Sequence, residues 1–258
     1  MPTKKPNIAV IYFPGNNCEE ETLQSVLASG MDGKIVRWNQ RKEVAKYDGF
    51  VIPGGWGYED RIRAGVIMAK DPVFGIIKKE AENGKPVLGI CNGAQILVET
   101  GIIPGLKDRV QMALAPNINP FVSGFYCTWV KIKNAIKRKT AFNLTIGENE
   151  IMPIPIAHAE GRFTTKDQVL IQQLLQNEQL LFRYCDDLGN IADKFPINPN
   201  GSLINIAGIT NKKGNVLAMM PHPERASWMH QVPGRHILGE DAGPGRKIFE
   251  SIKLYLKK

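Results

Sequence analysis

The sequence predicts an α/β fold, doubly wound around a mostly parallel sheet with helices on both faces. Three observations carry that expectation. Short apolar runs bounded by glycine and proline, such as Ile8 to Phe13 and Gly49 to Ile52, alternate with stretches of helical period as far as Glu99. These runs are apolar at nearly every position rather than at alternate ones, as in strands covered on both faces. The segments between them are long enough for strand, helix, strand crossovers, the connection that parallel strands require. Ligands of such sheets bind at the carboxyl ends of the strands, so chemistry is sought there.

Ile8 to Phe13 is the first strand, closed by Pro14-Gly15-Asn16-Asn17. Glu19, Glu20 and Glu21 then open a helix, because acidic side chains suit the positive end of the helix dipole. Its expected apolar face is Leu23, Val26 and Leu27, and Gly30 ends it. Lys34 to Trp38 and Gly49 to Ile52 are further strands, the second running into Pro53-Gly54-Gly55-Trp56-Gly57. A helix is expected over Arg61 to Ala69 and another from Asp71-Pro72 to about Glu82. Pro86 to Ile90 reads as a short buried strand and Asn92 to Glu99 as the opening of a helix. From Gly101 to Tyr126 prolines and glycines predict a long loop, and loops of that length are more often functional than idle.

Cys127 to Lys133 alternates like a strand with one polar face. Ile151 to Ile156, which contains Pro153 and Pro155, fits an edge strand, since proline cannot donate to a ladder. Gln179 to Tyr184 and Leu203 to Ile209 are strands on either side of the turn Asn198-Pro199-Asn200-Gly201, and Asn215 to Met220 is the last. A Gly- and Pro-rich loop from Ala226 to Gly245 carries His230 and His236. The chain closes on a helix whose Ile248, Ile252, Tyr255 and Leu256 share one face, with Lys253, Lys257 and Lys258 at its negative end.

A chain of 258 residues can bury one large α/β core, and no internal repeat, low-complexity tract or linker divides it. A single domain over residues 1–258 is therefore expected. Lysine and arginine outnumber the acids 33 to 25, but the excess is scattered, with runs no longer than Lys137-Arg138-Lys139. That pattern does not indicate nucleic acid; a docking face for a more acidic protein fits it as well. The cysteines at positions 18, 91, 127 and 185 form no C-x-x-C pair, so neither a zinc knuckle nor a disulfide framework is expected. Reduced thiols and a cytoplasmic location follow, with Cys18, Cys127 and Cys185 read as small buried residues. His230 and His236 do not have a usual ligand spacing, and no metal is expected. The apolar run after Lys4-Lys5-Pro6 is too short for a signal peptide, and no run approaches a membrane span.

Cys91 is the first candidate for chemistry. It lies between a buried strand and a helix start, flanked two residues away by Gly89 and Gly93, which leave room for a sharp turn. Such a nucleophile elbow lifts its central side chain clear of the sheet, and the first N–H groups of the helix favour thiolate. A buried cysteine at a strand end is the alternative. A thiolate nucleophile needs a base, and the base needs an orienting partner. His222 and Glu224, in Pro221-His222-Pro223-Glu224, are two apart, so in an extended segment they face one side. A solvated surface turn is the other reading of that motif. Gly54-Gly55 and the N–H of Asn92 are candidate donors for an oxyanion, although a Gly-Gly pair is also an ordinary tight turn. No phosphate-binding glycine loop is present.

Together these residues carry a resemblance. Gly89-Ile90-Cys91-Asn92-Gly93-Ala94-Gln95 with the downstream Pro-His-Pro-Glu is similar to the class I, or triad, glutamine amidotransferases. Phe13-Pro14-Gly15-Asn16-Asn17-Cys18, Pro53-Gly54-Gly55, Ile156-Ala157-His158, Asn198-Pro199-Asn200-Gly201 and Met219 to Arg225 narrow it. They resemble the branch that serves as glutaminase subunits of the phosphoribosylformylglycinamidine synthases of purine biosynthesis. The resemblance implies that Cys91 attacks the side-chain amide of glutamine to form a γ-glutamyl thioester, with His222 shuttling the proton and Glu224 orienting it. It carries Gly55 and Asn92 over as oxyanion donors, Gly54 as the turn that presents them, and Gln95 as a substrate contact. It also implies that ammonia passes to a separate synthetase subunit, with or without a third small subunit. That subunit would hold ATP and magnesium and amidate formylglycinamide ribonucleotide, and this chain would need no cofactor. The chain departs from the pattern at Gly55-Trp56-Gly57-Tyr58-Glu59-Asp60, where the family commonly has Gly-Phe-Ser-Tyr-Gly-Asp, and at Ala159, where glycine is common. No role for His158 or Glu160 follows from the motifs.

Two other readings use the same residues. A cysteine hydrolase or stress protein of related fold would act without a partner, and a basic non-enzymatic scaffold would tolerate loss of Cys91.

Overall fold

The computed structural model describes residues 4–234 and 241–258. Its frame is a nine-stranded sheet in the order β2-β1-β3-β4-β11-β10-β9-β6-β7. The parallel half comprises β1 (Asn7–Tyr12), β2 (Asp32–Arg37), β3 (Gly49–Ile52), β4 (Val87–Ile90) and β11 (Val216–Met219). β3, β4 and β11 are buried at every position, which requires cover on both faces. The antiparallel half adds β10 (Ile206–Thr210), β9 (Phe182–Cys185), β6 (Tyr126–Asn134) and β7 (Ile151–His158). β7 lies at the sheet edge, where its two prolines cost no ladder bond, and it buries alternate residues as a one-faced strand should.

Helices α1 (Glu19–Ala28), α2 (Arg41–Val44), α3 (Val73–Glu82) and α4 (Asn92–Glu99) follow strands of the parallel half. α5 (Gln168–Gln176), absent from the sequence-based expectations, starts at Asp167, whose side chain accepts the Leu170 N–H as an N-cap. α6 (Arg246–Leu256) closes the chain with Ile248, Phe249 and Ile252 buried, and it packs beside α1. A short pair, β5 (Ala113–Ala115) with β8 (Arg162–Thr164), breaks the loop expected from Gly101 to Tyr126.

Other expectations need correction. α1 buries Thr22, Ser25 and Val26, while Leu27 is 42% exposed. Small hydroxyl residues allow it to lie close to its neighbours; the Ser25 and Ser29 hydroxyls donate back to carbonyls one turn earlier. Arg61 to Ala69 is not a helix. Tyr58, Glu59, Asp60 and Ile62 have positive φ, and so does Gly65 (φ +78), whose Cβ would lie 2.8 Å from the Ile96 nitrogen. Short 3-10 turns at Gly57–Asp60 and Met68–Lys70 stand there instead. β9 begins three residues later than expected because Gln179 turns inward, its amide donating to the carbonyls of Pro104 and Thr210. Leu203–Asn205 is a 3-10 turn with Ile204 and Asn205 at positive φ, so β10 starts at Ile206.

Candidate active site

Cys91 stands between β4 and α4, at the carboxyl edge of the parallel half, beside β11. Its φ of 50° and ψ of −106° are those of a residue forced around a sharp corner. A conformation of this kind costs of order 1–3 kcal/mol and persists where the surroundings hold it. Gly93 supplies the space: a Cβ there would lie 2.0 Å from the Ile52 carbonyl oxygen. The predicted elbow is present, but its side chain is buried rather than exposed: Cys91 is 6% exposed, its Sγ 3.6 Å from the Ala157 carbonyl.

The Pro-His-Pro-Glu segment follows β11, the neighbour of β4. It is not extended throughout, since the chain turns into a 3-10 helix at Pro223–Ala226 directly after His222. The turn still brings the two side chains together: His222 Nδ1 lies 2.5 Å from Glu224 Oε1, and both residues are essentially inaccessible. Burial opposes a charged ring, but the Glu224 carboxylate outweighs it and, with Cys91 and Cys18, holds the His222 pKa well above 6.5. His222 Nε2 has no hydrogen-bond partner among the described residues, and Cys91 is close enough to contribute to that shift. A Cβ on Gly54 would sit 2.8 Å from His222 Cε1, 3.2 Å from Cys18 Sγ and 3.4 Å from Cys91 Cβ. Gly54 thus fills the point where the three side chains converge.

A cavity of about 410 Å³ opens over Cys91. Gly55 lines it and bridges Asn16 through Asn17 N to Gly54 O and Trp56 N to Gly15 O, at 3.3 and 2.8 Å. Bonding groups alternate sides along such a pair, so the Gly55 N–H faces away from residues 15–17. The Asn92 N–H belongs to the first turn of α4, where amides lack intrahelical partners. Gln95 also lines the cavity, yet its amide is committed: Nε2 donates to the Glu160 carbonyl at 2.8 Å and Oε1 accepts from Asn92 at 2.8 Å.

Several lining residues carried no functional reading in the sequence. Cys18 is buried as expected, but its sulfur accepts from Arg225 Nη2 at 3.1 Å and lies 4.0 Å from His222 Nδ1. Burial pushes the Cys18 thiol up in pKa, partly offset by its hydrogen bond to His222. Cys18, His222 and Glu224 lie close enough to share an ion, although Nδ1 is occupied by Glu224 and the adjacent guanidinium repels a cation. Cys127, expected to be buried, is exposed on β6 and faces the cavity from the strand beside β7. Cys185 is buried, and its pKa is raised to about 11 by burial. His230 stacks on Trp228, ring centroids 6.4 Å apart, and His236 lies outside the described residues. The long 101–126 loop does reach the site, through Asn117, which contacts His158, and Phe125, whose ring lies tilted against Trp56 at the mouth, centroids 5.6 Å apart. Signals for these residues were absent because each arrives from a distant stretch of chain.

The model of the CobB/CobQ-like glutamine amidotransferase domain matches residues 5–256. Phosphoribosylformylglycinamidine synthase subunit PurQ of Methanothrix thermoacetophila is 50% identical, over 97% of this chain and 98% of its own. The protein of the same name from Pyrococcus horikoshii is 43% identical over 97% and 98%. A chain in the structure of PurLQS from Thermotoga maritima is 33% identical, with a TM-score of 0.76 over 98% of this chain and 99% of that one. A strained cysteine elbow beside a buried His-Glu pair is thus set in a chain that belongs, along almost its whole length, to the CobB/CobQ-like glutamine amidotransferase family.

Proposed function

We propose that this chain is the glutaminase subunit of phosphoribosylformylglycinamidine synthase, acting as one glutamine amidotransferase domain over residues 1–258. The observation that carries the catalytic reading is the buried His222 Nδ1 to Glu224 Oε1 contact of 2.5 Å, which leaves Nε2 for the proton of Cys91. With the proton of Cys91 held on His222 Nε2, where the raised pKa of the ring keeps it, the sulfur attacks the γ-carbonyl carbon of glutamine. The oxyanion rests against the N–H groups of Gly55 and Asn92, with Gly54 shaping the turn between them and Gln95 bracing the wall. His222 returns the proton to the amide nitrogen, ammonia leaves, and water attacks the γ-glutamyl thioester to release glutamate and free Cys91. Glu224 keeps the imidazole oriented and stabilises its protonated form.

Ammonia passes to a separate synthetase subunit, which holds ATP and magnesium and amidates formylglycinamide ribonucleotide. Direct transfer matters because ammonia released into neutral water becomes ammonium, which has no lone pair for attack. Exposed aromatic side chains at the cavity mouth support docking there: Trp56 and Phe125 line the cavity with ring centroids 5.6 Å apart, and both are partly exposed. The proposed reaction uses small soluble metabolites, and the cytoplasm is its proposed location; among the described residues no helix is long and apolar enough to cross a membrane.

Intact-mass measurement after a glutamine-mimicking electrophile tests this reading. One adduct on Cys91, blocked by glutamine and absent in Cys91→Ala, is the expected result. Labelling of Cys18, Cys127 or Cys185 instead, or no adduct with the synthetase present, would overturn it. Equal glutamine turnover with and without the synthetase would favour a hydrolase that acts alone.

A further inference from the structure

Helix α4 is buried at every position, yet Asn92, Gln95 and Glu99 on it are polar. They stand at i, i+3 and i+7, so they form one stripe along the helix. A buried helix tolerates such a stripe only where each group is matched. The partners lie in the irregular segment after β3 and in the residue that anchors it. Glu99 accepts from Arg63 Nε and Nη2 at 2.9 and 2.5 Å. Gln95 Nε2 donates at 2.8 Å to the carbonyl of Glu160, whose Oε2 accepts the Ala64 N–H. Asn92 meets Gly57 and Asp60.

Backbone groups at both ends fix the direction of these bonds. The Gly57 N–H can only donate, so the Asn92 atom 3.1 Å from it is Oδ1. The Glu160 carbonyl can only accept, so the Gln95 atom facing it is Nε2. Asn92 Nδ2 is then left to donate to Gln95 Oε1 at 2.8 Å and to Asp60 Oδ1 at 3.2 Å. Two side-chain amides thus run head to tail from Gly57 to Glu160, and neither can flip without setting like groups against each other.

Gly57 is two residues beyond Gly55. The register of β3 with β4 ends at Ile52 and Gly89, and past it the backbone of the glycine loop bonds away from the elbow: Trp56 N to Gly15 O and Tyr58 N to Pro14 O, at 2.8 and 3.1 Å. Toward the elbow the loop is tied by the Gly57 N–H to the Asn92 side chain. An oxyanion needs both of its donors about 3 Å away at once, and the two donors here, Gly55 and Asn92, belong to these separate segments. We propose that the Asn92 side chain is the positioning residue of the oxyanion site: it locks the loop that carries Gly55 to the elbow that carries its own N–H. Gln95 and Asp60 hold its amide in the orientation that does so. This rests on the glutaminase reading and gives Asn92 two tasks, one for its backbone and one for its side chain. The side chain needs no contact with substrate, in keeping with a residue that is wholly inaccessible.

The test is made on the complex with the synthetase subunit, above pH 7. Burial and the Glu160 charge push the Asp60 pKa up to about 6, so at that pH it is still an ionised acceptor. Asn92→Leu keeps the branched shape and the backbone N–H while removing the side-chain bonds. Glutamine turnover should lose roughly 100-fold in kcat, the scale of one oxyanion donor, with KM held to within about threefold. Alkylation of Cys91 by iodoacetamide develops no oxyanion, so its rate should stay within about threefold of wild type. Gln95→Met frees the same amide from its other end; it should lower kcat about tenfold, and it decides the matter if Asn92→Leu fails to fold. An unchanged kcat, a loss confined to KM, or an alkylation rate that falls in step with kcat would overturn the positioning role. A wild-type complex that hydrolyses no glutamine, or a Cys91→Ala complex that still does, would instead overturn the glutaminase reading beneath it.

Discussion

The two walls that meet over the cavity are built on different principles. The Cys91 elbow is held by regular structure: β4 pairs on both sides, and every residue of α4 is buried. The facing segment from Pro53 to Asp71 has no α-helix and several residues at positive φ. It is held by bonds to other elements, Gly57 N to Asn92 Oδ1 at 3.1 Å, Ala64 N to Glu160, and Arg63 to Glu99. The nucleophile is therefore fixed by the core, while the surface that surrounds the substrate is fixed by side chains that can be exchanged singly. Rigid chemistry and adjustable recognition are separated in space.

Substitutions can break that contrast or sharpen it. The largest effect is expected at Gly93→Ala, because its Cβ would collide with the Ile52 backbone at 2.0 Å. A loss of about 3 kcal/mol or more, or failure to fold, should appear in urea denaturation. A small loss would show that the elbow is as pliable as the wall it faces. Gly65→Ala should cost about 2 kcal/mol by the same measurement, from its positive φ and the crowding against α4. An effect as large as that of Gly93→Ala would erase the difference between the walls.

His158, beside the residue that anchors the wall, gives a pH signature. Its folded pKa of about 3 lies below the ordinary 6.5, so its stabilising effect is complete above pH 6.5 and fades as pH falls toward 3. Between pH 7 and 5 this residue should cost about 2 kcal/mol, at about 1.4 kcal/mol per pH unit below 6.5. The difference in stability between wild type and His158→Gln, measured at both pH values, isolates it from Asp60, which acts with the opposite sign. A difference independent of pH would mean that the ring is not held neutral. The smallest effect is expected at Ile62→Ser. Ile62 is 89% exposed, so the isolated chain should change by less than about 0.5 kcal/mol. Weaker binding to the synthetase in the same variant would place this wall in the interface.

Local rules read the elbow well and the wall poorly. Val87 to Ile90 carries no polar side chain, follows Pro86, and has Gly89 and Gly93 two residues either side of Cys91, so strand, corner and helix were each legible from neighbours in sequence. Arg61 to Ala69 has helix-compatible residues, but its geometry is set by α4 pressing on Gly65 and by Glu160 arriving from beyond β7. The face of α1 was misread in the same way, since buried Thr22 and Ser25 are chosen by a neighbour's shape rather than by hydrophobicity. His222 and Glu224 were correctly paired on an alternation rule, yet the chain joins them by a 3-10 turn.

The sequence by itself determined the parallel half of the sheet, the cysteine at its carboxyl edge, and the histidine and glutamate that accompany it. Those features rest on apolar periodicity, glycine placement and the pairing of residue types, all properties of short stretches. Tertiary structure alone decided that Cys127 is exposed while Cys18 is buried against Arg225, and that Asp60, His158 and Glu160 share one cavity. Their positions depend on which strands become neighbours, and the energy that chooses neighbours is summed over the whole core.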